Sequence, residues 1–82
     1  MTETKKLQLC DVHTGEQAII ASLSGGSGFL GRMSALGFTP GTLISVVRNY
    51  DRGPIIVSVR DTQIALGRGQ ASRVQVHKES EP

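Results

Sequence analysis

The run Leu36-Gly37-Phe38-Thr39-Pro40-Gly41 constrains this chain more than any other stretch, because it stops one kind of backbone and starts another. Upstream of it, Leu30, Met33 and Leu36 recur three residues apart and make one apolar stripe about two helical turns long. Gly37 falls where a helix C-terminus favours a residue that tolerates positive φ. Thr39-Pro40-Gly41 then reads as a tight turn, with Pro40 pre-setting one φ and Gly41 free to take another. Leu30 to Gly41 is therefore expected to form a short helix, a hard stop and a change to strand. Ser27 is expected to cap the helix through its hydroxyl. The stripe is read as core and Phe38 as a core plug, which leaves Arg32 and Ser34 on the outer face for a partner.

The rest of the chain reads as strands. Gln17 to Leu23, Leu43 to Arg48, Ile55 to Arg60, Gln63 to Leu66 and Arg73 to His77 are rich in β-branched or alternating apolar residues. Asn49 to Pro54 holds enough turn formers for a hairpin, Asp61-Thr62 is read as a two-residue turn, and Gly67 to Ser72 as a single helical turn. With Ile55, Val57, Val59, Ile64, Leu66, Val74 and Val76 inward, Ile56 points outward. A helix so short is not stable alone, and closing short strands on themselves removes exposed edges. The expected architecture is a mainly β, small barrel of about five strands, with one short α-helix between the first and second.

At 82 residues the chain suits a single small domain, and aromatic content of 4% with no Trp makes the core aliphatic. Residues 1–6 are expected to be a disordered N-terminus, 7–77 the domain and 78–82 a flexible tail. One cysteine makes no internal disulfide and fits a reducing compartment. No apolar run approaches the roughly 20 residues of a membrane span, and the start lacks the apolar core of a secretory signal. The expectation is a cytoplasmic protein that meets the membrane's inner face only through a partner, without inserting. Net charge is +2, but from Gln17 to Lys78 seven basic residues face two acidic ones, so the body is cationic.

The catalytic inventory is thin, and no enzyme is expected. No Cys-x-x-Cys, His-x-x-x-His or Asp-x-Asp spacing occurs, so neither a resident cofactor nor a metal cage is expected. Cys10 and His13, which share a loop with Asp11, and the distant His77 are the candidates for weak or transient transition-metal binding. Cys10 is read first as a small half-buried apolar residue. Ser24-Gly25-Gly26-Ser27-Gly28 precedes a helix but lacks the Lys-Ser/Thr ending of a phosphate loop, so it is read as a linker. Stacking aromatics for nucleic acid are missing. The remaining signals are those of contact surfaces: Arg32 and Ser34 on the helix, Tyr50 and Arg52 at a hairpin tip, and Ile56 on an outer face. Self-association is left open.

From Gly28 to Gly41, the pattern of Leu30, Leu36, Gly37, Phe38, Pro40 and Gly41 resembles the FeoA family of small cytosolic proteins. The resemblance extends from Leu9 to Val76. It takes in Gly15-Glu16 followed by Ala18-Ile19-Ile20, the Gly25-Gly26 pair, Pro54-Ile55 through Arg60, and Ile64-Ala65-Leu66 with Ala71. It implies an SH3-like β-barrel and a non-enzymatic role in bacterial ferrous iron uptake, as an accessory partner of the cytosolic domain of the membrane GTPase-permease FeoB. The alternative it implies is a transition-metal-binding or sensing module like the C-terminal domains of metal-dependent repressors. Gly67 and Gly69-Gln70 depart from charged residues common in the family, so the C-terminal turn is expected to present less charge.

Overall fold

Alternation of apolar and polar residues builds one antiparallel sheet. The computed structural model describes residues 5–50 and 52–78. In chain order it forms β1 (Lys5–Gln8), a 3-10 turn (Leu9–Asp11), β2 (Gln17–Leu23), α1 (Ser27–Ala35) and β3 (Leu43–Arg48). These are followed by β4 (Ile55–Val59), β5 (Thr62–Leu66), the four-residue α2 (Arg68–Ala71) and β6 (Val74–Lys78). The sheet runs β1-β6-β2-β3-β4-β5, with every ladder antiparallel. The fold is mainly β and SH3-like.

Two features differ from the expected barrel. There are six strands rather than five: β1 pairs with β6 through Leu7 opposite Val76 and Lys5 opposite Lys78. With Leu7 its only apolar residue, β1 shows no strand period of its own, and only the distant β6 makes it a strand. The helix therefore lies between the second and third strands. The sheet is also open, because among the described residues no ladder joins β1 to β5. Of the start expected to be disordered, residues 1–6, Lys5 and Lys6 belong to β1, and of the expected tail, 78–82, Lys78 ends β6, because the two segments pair with each other. Residues 1–4, 51 and 79–82 lie outside the described residues.

Two bulges bend the sheet, one between Ile20 and Ser22 against β6 and one between Val46 and Arg48 against β4. The second leaves Val47 unpaired and sets Arg48 opposite Ile56, on the face away from the core. Inward residues make one cluster in which Phe38 is the largest fully buried side chain, with Leu9, Met33, Ile44, Ile55, Val57 and Leu66 around it. The 3-10 turn packs against α2, burying Leu9 and Ala71. Phe38 is the core plug that was expected.

Helix α1 starts at Ser27, and its N-cap is Gly26 with no side-chain cap. Ser27 is thus the first helical residue and not the cap. At the other end Gly37, at φ +92°, donates to the Ser34 carbonyl at 3.0 Å, while Phe38 N–H reaches the Met33 carbonyl at 2.8 Å. This pair of bonds is the Schellman stop, and its apolar contact joins buried Met33 to buried Phe38. The stripe itself is only partly core. Met33 is fully buried and Leu36 half-buried, but Leu30 is 37% exposed. A three-residue spacing drifts by about 60° per step on a helix of 3.6 residues per turn, so Leu30 and Leu36 straddle Met33. Half-buried Phe29, four residues before Met33, fills the inward place expected of Leu30.

The β4–β5 turn is Arg60-Asp61, not Asp61-Thr62, because Val59 pairs directly with Thr62. Arg60 adopts φ +56° to close it, as the favoured two-residue hairpin turns demand of their first central residue.

Candidate functional site

Two surface features gather the side chains suited to recognition. The first is an apolar groove of about 340 Å³, lined by Ser22, Leu23, Leu30, Ser34, Phe38, Thr39 and Pro40. Each wall follows from local structure. Leu30 and Ser34 lie four residues apart and share one side of α1. The Schellman stop turns the chain so that Phe38, Thr39 and Pro40 form the second wall. The bulge in β2 shifts the register, so that Ser22 pairs with Gln75 and Leu23 with Val74. Thr39 and Thr42 hydroxyls lie 3.0 Å apart and tie the turn.

The second feature is the tip of the β3–β4 hairpin. Tyr50 is 61% exposed, and the Arg48 guanidinium lies over its ring, 5.4 Å from the centroid. Arg48 stands opposite Ile56, and Ile56 opposite Ala65, so an arginine, a tyrosine and a half-buried isoleucine form one patch across the outer face. Asn49 anchors the tip from below. Its amide nitrogen donates to the carbonyls of Cys10 at 3.0 Å and Val12 at 2.6 Å, and its backbone N–H donates to Thr14 Oγ1 at 2.8 Å. Arg68 of α2 donates to Asn49 Oδ1 at 2.8 Å and also to the Tyr50 carbonyl. Two segments distant in sequence, Cys10 to Thr14 and α2, thereby hold one loop.

The candidate metal residues occupy separate places. Cys10 is half-buried on the 3-10 turn, packed against the core, with Sγ 3.4 Å from Gln8 Oε1. His13 is exposed, and its backbone N–H donates to Glu16 Oε1 at 2.9 Å. His77 lies in β6 between Ile19 and Lys6, with Nδ1 buried and unbonded. Among the described residues no three His, Cys, Asp or Glu side chains cluster as a metal site would require. Glu16 is engaged elsewhere: Lys78 Nζ is 2.6 Å from Oε2. That bond first, and the His13 backbone N–H second, hold its carboxyl below the ordinary glutamate range.

The expected contact residues divide among these features. Tyr50 and Ile56 come together with Arg48, and Arg52 is exposed farther along the same hairpin. Ser34 lines the groove, whereas Arg32, two residues away and about 200° around the helix, lies on another side. Sequence reasoning missed the groove and the Asn49–Arg68 link. The signal for the first was the drifting three-residue stripe, which leaves Leu30 at an edge. For the second there was none, since an Asn after a strand reads simply as a turn former.

Together these describe a small SH3-like domain that offers an apolar groove and an arginine–tyrosine patch, and no cluster suited to holding a metal among its described residues. The FeoA domain family model matches residues 7–78, and the chain belongs to this family. It is 36% identical over 62 residues to Putative Fe(2+) transport protein A of Methanocaldococcus jannaschii, covering 76% of this chain and 74% of that one. It is 32% identical over 71 residues to the Fe(2+) transport protein A/Fe(2+) transporter FeoB fusion protein of Porphyromonas gingivalis, covering 85% of this chain but only 8% of the fusion. Among solved structures, the crystal structure of an iron uptake regulatory protein (FeoA) superposes with a TM-score of 0.84 at 34% identity, covering 90% of this chain and 99% of that one. A manganese-dependent transcriptional repressor shares the fold, with a TM-score of 0.83 at 19% identity over 93% of this chain and 43% of that one. Among the described residues no helix is long and apolar enough to cross a membrane.

Proposed function

We propose that this protein is an accessory factor of ferrous iron transport that acts in the cytoplasm by binding the cytosolic GTPase domain of a FeoB-type permease. One observation carries the reading: in the Porphyromonas gingivalis relative, a region similar to almost this whole chain is covalently joined to the transporter. Fusion holds two domains at high effective concentration, which suits parts that work in contact. The surface chemistry agrees. Exposed Tyr50 and Arg48 are residue types that dominate interface energies, and the polar side chains of Asn49, Thr14 and Arg68 hold in place the loop that presents them. It acts by binding and not by catalysis.

The metal-sensing alternative rests on Cys10, His13 and His77, and the likeness to the repressor concerns the fold alone. No specific observation favours it. Uptake of radiolabelled ferrous iron tests the proposed function in cells that have the permease but lack this chain. Supplying the wild-type chain should restore uptake several-fold, and a folded chain that leaves uptake unchanged would refute it.

A further inference from the structure

We infer that the groove between α1 and the Phe38–Pro40 turn receives a leucine-type side chain from a peptide segment with acidic flanks, contributed by the protein partner. This rests on the docking function proposed above and specifies its chemistry. Three observations support it. The groove is apolar at Leu23, Leu30, Phe38 and Pro40, with hydroxyls of Ser22, Ser34 and Thr39 at hand. That is the composition of clefts that bury one apolar anchor and orient it by a few polar contacts. Its volume of about 340 Å³ exceeds a single side chain and falls far short of a whole domain face. Leu30 remains 37% exposed, although a helix edge beside a core could have covered it.

Charge decides what flanks the anchor. All the groove's residues come from a stretch, Gln17 to Tyr50, with no Asp or Glu. Near the Leu23 end, Ser24 N–H bonds the Arg73 carbonyl at 3.0 Å, and the Arg73 guanidinium lies over the Phe29 ring, 5.9 Å from its centroid. Arg73 also packs by Gly25, where an added Cβ would meet its Cδ at 3.5 Å. The first turn of α1 carries no acidic residue to offset its positive end. An acidic flank is attracted there and a basic one repelled.

The test is an amide NMR titration of the whole chain with two short synthetic peptides. Both carry a central leucine pair, flanked by glutamates in one and lysines in the other. The expected result is shifts confined to Leu23, Leu30, Ser34, Thr39 and their neighbours, with the glutamate peptide about tenfold tighter. Arg73→Gln should narrow that gap, and Leu30→Glu, at a solvent-exposed site in the first helical turn, should abolish binding while the fold stays intact. Leu30→Ala separates lost contact from added charge and should weaken both peptides. Absence of shifts at millimolar peptide, shifts elsewhere, or equal affinity for both peptides would overturn the inference. So would a concentration-dependent dimer that Leu30→Glu dissolves, since the occupant would then be a second copy. Titration with the permease's cytosolic domain separates the two claims. Equal binding by wild type and Leu30→Glu removes the groove and leaves docking intact. No binding to wild type, with the glutamate peptide still seated, removes docking and leaves the groove's chemistry.

Discussion

Asn49 and Arg68 are joined by a hydrogen bond of 2.8 Å from the guanidinium to the amide oxygen, while the amide nitrogen holds the carbonyls of Cys10 and Val12. The loop before β2, the end of β3 and helix α2 thus share one side chain. Asn49→Ala leaves those two carbonyls without their donor and should cost about 1–3 kcal/mol. For a domain of this size that corresponds to a melting point lower by roughly 5–20 °C. Asn49→Asp keeps the acceptor for Arg68 but sets a carboxylate against the two carbonyls, so it should also destabilise. Thermal unfolding of both variants checks this, and a wild-type melting point for Asn49→Ala would show the link to be idle.

Glu16 gives the fold an acid-sensitive contact. Lys78 and the His13 backbone N–H hold its carboxyl below the ordinary value, so the folded state binds the proton less readily than the unfolded chain. The stabilisation is complete above the ordinary glutamate range and is lost as pH falls through the lowered folded value. Glu16→Gln should lower stability at neutral pH and flatten the acid limb of the stability curve. Urea unfolding at several pH values measures it. An unchanged acid limb in the variant would place the sensitivity elsewhere.

Two glycines differ in what a methyl group would meet. At Gly37 a Cβ has space, the nearest atom being Val59 Cγ2 at 3.8 Å, so only φ +92° opposes Gly37→Ala. Its cost should be about 1–2 kcal/mol. Gly25 combines φ +140° with a contact of 3.0 Å to the Phe29 ring, so Gly25→Ala should cost more. Denaturant midpoints at constant slope give the order, and the reverse order would contradict the geometry at both loops.

Much of this fold was legible because its constraints are local. The glycine that stops α1, the alternation of Ile55, Val57 and Val59, and the burial of Phe38 each follow from a few neighbouring residues. What escaped depended on distant partners. Lys5–Gln8 becomes a strand only because β6 lies beside it, and the sheet stays open for reasons of strand geometry that periodicity does not carry. The turn at Arg60-Asp61 was displaced by one residue because an arginine is an unusual choice for positive φ. The contact surface divided the same way. Tyr50 and Ile56 could be named as exposed types, but their meeting with Arg48 needed the bulge at Val47. The groove needed Leu30 to slip from the core to its rim.

The central claim is that this domain works by binding, and calorimetric titration of the whole chain into the cytosolic domain of a FeoB-type permease from the same cells tests it most directly. The titration should be run with and without guanine nucleotide. One saturable binding event is predicted in at least one nucleotide state. Tyr50→Ala, which removes an exposed ring while Asn49 and Arg68 still hold the loop, should weaken it about tenfold or more. Folded wild-type protein that releases no binding heat and co-migrates with the permease domain in neither state would contradict the account.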